Sequence, residues 1–401
     1  MFDTLPTHHM KEKHTHLNTD IVTIHFETTI DSLVSSRKGS LSPWHRCRDA
    51  GWGCRKVSMT FGDDGEYTSA PEDAPWALCD GKHWISHNVP ENRAVYQRLV
   101  ETGEVPQVSQ TLWNDTSDLS AFMRAPRNLE GARNHLLKEE DTKSPPAILI
   151  RKLWEGYSKE WPEVERQLSR MTADQHHRGV GLNIEKAEKA TRQIATELWK
   201  VRRDIPWAFD EEAKVKKELY RECRRQGIQP PTSTSATDPE FLSWCKEVGQ
   251  KGDFVQALVK SRPLRTAQST LDKMLGLARE DGRMDVGLKY HGAHTGRWQS
   301  SGLLNLQGLP RLPVAGVNLR SLLIPEQGKK FVIADLAQIE PRCLAWLVQD
   351  MEFLELCKEH MNPYEAHARQ TMNYRGNRIL SESNPELYKL AKARVIGLGY
   401  G

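Results

Sequence analysis

Between residues 147 and 225 the apolar side chains fall three and four positions apart, and glycine is scarce. Only an α-helix, with about 3.6 residues per turn, gathers such a pattern onto one face, so this stretch must pack as several helices around a shared core. The pattern predicts helices over 148–157, 161–177 and 184–204. Asn183 sits where an N-cap is needed, and Glu185 and Glu188 lie near the positive helix end.

The flanks obey different rules. Residues 20–27 (DIVTIHFE) are rich in β-branched side chains and predict a buried strand. Strands are also expected at 57–61, with 67–69 beside it, and at 83–87, followed by helices over 90–101 and 128–137. After the helical stretch, Pro230 and Pro231 open a Ser/Thr-rich loop. Helices are expected over 239–248 and 263–280, and 289–291 is read as extended. A strand over 330–335 should end on Asp335, with helices over 340–348 and 385–401 after it. The result is an α/β front followed by a helical middle and a second α/β region.

Charge names no partner, because 56 Lys and Arg nearly balance 53 Asp and Glu, for a net +3. Basic runs such as 214–217 and 221–225 fit either a solvated helix face or a phosphate backbone. The seven cysteines are scattered without a Cys-x-x-Cys pair, which implies free thiols in a reducing compartment. His45, Cys47 and Cys54 lack a fourth ligand for zinc. No apolar run approaches the ~20 residues that span a bilayer, so no membrane partner is expected. The polar, His-rich residues 1–18 are expected to be a flexible tail.

A strand that ends in a carboxylate presents it at a sheet edge, where a divalent cation can bind; spacing alone also fits an ordinary α/β turn. The wording of the segment is more specific. Asp335-Leu-Ala-Gln-Ile-Glu-Pro-Arg342 resembles motif A of the family A DNA polymerases, Asp-Tyr-Ser-Gln-Ile-Glu-x-Arg, and departs from it at Leu336 and Ala337. Upstream, Thr295-Gly-Arg297, the Leu306-Gln-Gly-Leu-Pro-Arg311 segment and the lead-in from Leu319 to Gly328 resemble further family segments in the family's order. The wording is nearest to phage or prophage members.

The resemblance implies a DNA-directed DNA polymerase acting in replication on primer–template DNA and deoxynucleoside triphosphates with Mg2+, in the cytoplasm of a bacterial or phage-infected cell. Asp335 and the backbone carbonyl of Leu336 would hold the metal ions, and Asp335 and Lys392 would be catalytic. Gln338, Glu340, Lys392 and Tyr400 would contact the nucleotide, with Glu340 excluding a ribose 2′-hydroxyl. Arg297, Gln307, Arg320 and Arg342 would contact DNA. Lys392 and Tyr400-Gly401 keep the family's spacing in the next motif, but Tyr388 stands where an Arg is expected and Ile396 where an aromatic is usual. The second aspartate of the two-metal site lies beyond these residues. A second polypeptide, an interrupted gene or a fragment each account for that.

The front resembles the family's 3′–5′ exonuclease with its acids lost. His25 stands where the first Asp is expected, two residues before Glu27, and Asn88 and Asn92 fall in the second motif, with Asn92 at an Asp position. The third motif is not found within 154–168. The implied architecture is a tail over 1–18, a degenerate RNase H-like exonuclease-type domain over 19–165, a helical thumb over 166–284, and an incomplete antiparallel palm with the start of helical fingers over 285–401. Arg262 to Lys273, with Arg265 and Ser269 between them, resembles the thumb base. An inactive DNA-binding remnant is the alternative class, and a nuclease, against which the missing acids argue, is a third.

Overall fold

The computed structural model describes residues 20–30, 42–49, 51–62, 65–109, 112–138, 144–209, 212–235, 238–248, 253–302, 304–360, 362–377 and 379–400. The expected tail over 1–18 and Gly401 lie outside the described residues, as does the side chain of Tyr400. The chain forms two compact units, residues 1–329 and 330–401.

The first unit opens on strand β1 (Ile21–Ile30), followed by the short helix α1 (Pro43–Arg46), β2 (Trp52–Thr60), β3 (Glu66–Ser69), β4 (His83–Ser86), α2 (Val89–Glu101) and β5 (Leu112–Asp115). The sheet order is β3-β2-β1-β4-β5. β1, β2 and β3 pair antiparallel, whereas β1 with β4 and β4 with β5 are parallel. Alternation along β1 explains its position. Val22, Ile24 and Phe26 enter a core with Trp76, Trp84, Val95, Tyr96 and Leu99, beneath α2. Thr23 faces the other side, where its hydroxyl donates to the Ala147 carbonyl (2.9 Å). Burial on both faces is what a central strand requires.

Helices α3 (Thr116–Phe122), α4 (Leu129–Ala132), α5 (Pro146–Tyr157) and α6 (Glu163–Arg178) follow. Ile85, Leu119, Ile150, Trp154, Trp161 and Tyr290 form the second core, on the α5 side of the sheet. The expected helix over 128–137 is α4 plus one wider, π-type turn over Arg133–Leu137.

β6 (Val180–Leu182) leads into α7 (Ile184–Asp204), whose Asn183 side chain accepts from the Lys186 amide, as the capping pattern requires. α8 (Glu212–Arg225), α9 (Pro239–Val248) and α10 (Asp253–Gly276) complete the helical part, packed through Ile194, Leu219, Val255, Leu271 and Met274. The sequence places the start of the last helix at Pro263, but the helix begins ten residues earlier and carries Pro263 inside it. Burial of Val255 and Leu258 on the preceding turns outweighs the hydrogen bond that proline removes. Short strands β7 (Arg283–Met284), β8 (Leu288–Lys289), β9 (Gln299–Ser300) and β10 (Leu323–Ile324) close the unit; β10-β6-β7 form one small antiparallel sheet and β8-β9 another.

The second unit contains α11 (Ile339–Leu347), α12 (Met351–His360), α13 (Pro363–Thr371), α14 (Leu380–Ser383) and α15 (Pro385–Tyr400). Its apolar contacts are two small clusters, one around Ala345, Phe353, Cys357 and Ala366 and the other around Ala368, Leu380 and Ala391. The strand expected over 330–335 is not formed. A strand is held by hydrogen bonds to a neighbour, and among the described residues of this unit no strand lies alongside. Val332 is 86% and Ile333 90% exposed. Among the described residues, no helix is long and apolar enough to cross a membrane.

Candidate active site and nucleic-acid interface

In the first unit, Gln307 and Arg320, two of the sequence-selected candidates for DNA contact, donate side-chain hydrogen bonds to the backbone. The Thr295-Gly-Arg297 segment forms a tight turn in which the Gly296 amide donates to Ala293 O (2.9 Å) and the Ala293 amide to Arg297 O (3.1 Å). Gly296 has φ +82°, and a Cβ there would lie 2.9 Å from the His291 ring, so glycine is required on both counts. Arg297 is exposed beyond this turn. The Gln307 amide nitrogen donates to Trp298 O (3.2 Å) and its oxygen accepts from Ser300 Oγ (2.9 Å). The Arg320 guanidinium donates twice to Leu309 O, from Nε (3.2 Å) and Nη2 (2.8 Å). Gln307 and Arg320 thus brace the segment as well as presenting polar groups at an exposed surface.

This segment is fixed from behind by side chains that sequence reasoning missed. Tyr290 is buried; its hydroxyl donates to Glu165 (2.6 Å) and accepts from the Trp161 indole (3.2 Å), and burial raises its pKa. The Trp298 indole donates to Thr172 Oγ1 (2.8 Å). Arg124 donates to His294 O (2.8 Å), and Arg127 donates to Tyr290 O and to Asp118 (2.7 Å). Nothing in the sequence marked Arg127 as part of the site. Its distance from Tyr290 along the chain hid the contact.

Arg279 and Asp285 form a second brace. Both side chains are only 5% exposed, and the pair is bonded directly. Arg279 also donates to His177 O (2.8 Å) and His176 O (3.0 Å), and lies over the Trp44 ring at 4.9 Å. Asp285 also meets His45 Nδ1 at 3.3 Å. The residues 44–48 are thereby tied to the β7 hairpin.

The front-sheet positions singled out in the sequence are His25, Glu27, Asn88 and Asn92. His25 is half-buried with Nδ1 unpartnered, and burial lowers its pKa although Glu27 opposes the shift. Glu27 is exposed and pairs with Lys56, its cross-strand neighbour, at 3.3 Å. Asn92 is buried: its amide nitrogen donates to His87 O (2.7 Å) and Asn88 O (3.1 Å), and its oxygen accepts from the Phe26 amide (3.2 Å). A carboxylate could not donate those two bonds. Asn88 adopts φ +67°, and its backbone N–H donates to Asp115 Oδ1 (2.9 Å).

In the second unit, Asp335 is exposed, on the unpaired segment that runs into α11. Gln338 occupies the N-cap position of that helix with φ +49°, a left-handed conformation uncommon for a residue other than glycine. Glu340 is exposed in the first turn. Arg342 donates to Ala337 O (3.3 Å) and Cys357 O (3.4 Å), clamping the loop that carries Asp335 to the end of α12. α11 packs on α15, where a Cβ at Gly399 would meet Leu344. Lys392 on α15 is exposed, with its ammonium 6.0 Å from the Tyr364 ring centre, and Tyr388 meets the same ring edge-on at 5.6 Å. The Asp335 carboxylate and the Leu336 carbonyl are hard oxygen donors, which suit Mg2+. Among the described residues no three His, Cys, Asp or Glu side chains are grouped so as to hold a metal ion.

The model for DNA polymerase family A matches residues 155–401. The chain belongs to DNA polymerase family A. DNA polymerase I of Treponema pallidum is 28% identical over 184 residues, 46% of this chain and 18% of that protein. DNA polymerase I of Aquifex aeolicus is 26% identical over 301 residues, 73% of this chain and 46% of that protein. The family A chain therefore spans less than half the length of these curated relatives. A solved POL domain of Pol1 from M. smegmatis, in complex with DNA primer–template and dNTP, shares the fold with a TM-score of 0.69 and 17% identity, covering 100% of this chain and 71% of that one.

Proposed function

We propose that this family A chain acts as a DNA-directed DNA polymerase, which extends a primer on template DNA with deoxynucleoside triphosphates. The observation that carries the reading is the Asp335 segment: an exposed carboxylate leads into a helix whose cap, Gln338, is held in a left-handed conformation and whose first turn presents Glu340. Asp335 and the Leu336 carbonyl would hold Mg2+, which supplies charge stabilisation for phosphoryl transfer. Lys392 would neutralise the triphosphate, Gln338, Glu340 and Tyr400 would shape the nucleotide site, and Arg342 would steady the primer end. Arg297, Gln307 and Arg320 would meet the duplex, where guanidinium and amide groups suit phosphates and groove acceptors.

The same reading assigns residues 19–165 to an exonuclease-like domain without its acids, 166–284 to a thumb and 285–401 to part of the palm and fingers. The β3-β2-β1-β4-β5 order, with three antiparallel strands and two parallel ones, supports an RNase H-like front. The exposed, unpaired Val332 and Ile333 support a further polypeptide that pairs with residues 330–335. The test is primer extension with Mg2+, using the chain alone and the chain mixed with a polypeptide carrying the rest of the palm and fingers. Extension is expected only in the mixture and should disappear with Asp335→Asn. Extension that survives Asp335→Asn would refute the site.

A further inference from the structure

Helix α3 closes in a turn of fixed geometry, in which the Arg124 amide donates to Ala121 O (3.1 Å) and the Ala125 amide to Ser120 O (2.8 Å). Such a turn needs a left-handed residue, and Arg124 supplies it with φ +61°. Glycine adopts that conformation without strain, so arginine is unfavourable there for the helix end itself. The side chain makes its contact elsewhere. Its Nη1 donates to His294 O (2.8 Å), at the tip of the Ala293–Arg297 turn. Three residues on, Arg127 reaches from Asp118 (2.7 Å) to Tyr290 O, where the same segment begins. The Phe122 ring meets His291 edge-on at 5.6 Å. β8 and β9 pair at the base of the segment, Leu288 with Ser300 and Lys289 with Gln299, whereas its tip is tethered to the loop between α3 and α4.

We propose that Arg124 and Arg127 are positioning residues for duplex binding, which hold the backbone at His294 and Tyr290 so that Arg297 projects toward DNA. The proposal rests on the reading of Arg297 as a duplex contact. Its physical basis is preorganisation. A guanidinium on a loose turn gives up backbone as well as side-chain freedom when it binds, and a turn tethered beforehand gives up less. The arginine at the end of α3 is then explained by the carbonyl its side chain holds rather than by the turn that contains it. The α3–α4 loop gains a part in DNA binding that requires no nuclease carboxylate, and neither arginine has to touch the duplex.

The test is fluorescence anisotropy of the full chain with a labelled primer–template duplex, with thermal melts of each variant alongside. Arg297→Gln should weaken binding by about tenfold, the size of one lost charged hydrogen bond. Arg124→Gly relieves the left-handed backbone while it removes the bond to His294 O, so its melting temperature should stay near the parent's. Its duplex binding should nevertheless fall by a factor approaching that of Arg297→Gln. With Arg297→Gln already in place, adding Arg124→Gly, or separately Arg127→Met, should cost less than about twofold more, because both act through Arg297. Equal losses with and without Arg297 would mean that Arg124 meets DNA itself, and would overturn the proposal. Loss of binding by Arg124→Gly only in step with a lower melting temperature would overturn it too. Weak binding by Arg297→Gln with parent-like binding by Arg124→Gly would sink the positioning role alone. Parent-like binding by Arg297→Gln would sink the duplex-contact reading and this proposal with it.

Discussion

Asp285 offers a stability prediction whose magnitude follows from its surroundings. Its carboxylate and the Arg279 guanidinium are each 5% exposed. Burial lowers the Arg279 pKa to about 10, which still leaves it protonated at neutral pH. Asp285→Ala therefore strands a charge that water cannot reach, and removing one member of a buried pair costs about 3–5 kcal/mol. The double variant Arg279→Met, Asp285→Leu removes both charges. Its main cost is the two bonds that Arg279 donates to His176 O and His177 O, at about 1 kcal/mol each. The double variant should thus be more stable than Asp285→Ala, by about 1–3 kcal/mol on these figures. Urea denaturation followed by tryptophan fluorescence, with midpoints compared at a fixed slope, measures both. An Asp285→Ala variant that loses under about 1 kcal/mol, or a double variant less stable than the single, would refute the claim that desolvation of Arg279 dominates this brace.

Asp118 should give the stability of the first unit a distinct pH dependence. Burial first, and Asp115 second, push its carboxyl up to about 7 from 3.8, against the pull of Arg127 and Ser169. Between those values the folded state holds a proton that the unfolded state releases, so this group's contribution falls as pH rises from about 4 to about 7. Asp118→Asn should flatten that slope in melts across the range, and an unchanged slope would count against the assignment. Asn92→Asp should destabilise the front sheet by about 2 kcal/mol rather than restore a nuclease, since a carboxylate loses both bonds donated to His87 O and Asn88 O. Denaturant melts and a single-strand digestion assay with Mg2+ read the two outcomes, and digestion by this variant would sink the structural role given to Asn92.

Much of the local structure was legible in the amino-acid order, because it depends on neighbours along the chain. The β-branched run over residues 20–27 specified a buried strand, and the Asn183 cap and spacing of α7 specified its helix, both of which the structure contains. The motif wording from Asp335 to Arg342 gave the family, which the match over residues 155–401 establishes. The strand over 330–335 was misread for a physical reason. Its β-branched residues satisfy the pattern of a strand, but the hydrogen bonds that make one must come from a second segment.

Contacts between distant residues were decided only by tertiary structure. Arg124 with His294, Arg127 with Tyr290, and Arg279 with Trp44 and Asp285 join positions whose separation along the chain carries no signal. Periodicity reports which face of an element is apolar; it does not report which element that face will meet. The sequence by itself therefore determined most of the elements and the family, and packing determined how polar side chains were withdrawn from water in pairs.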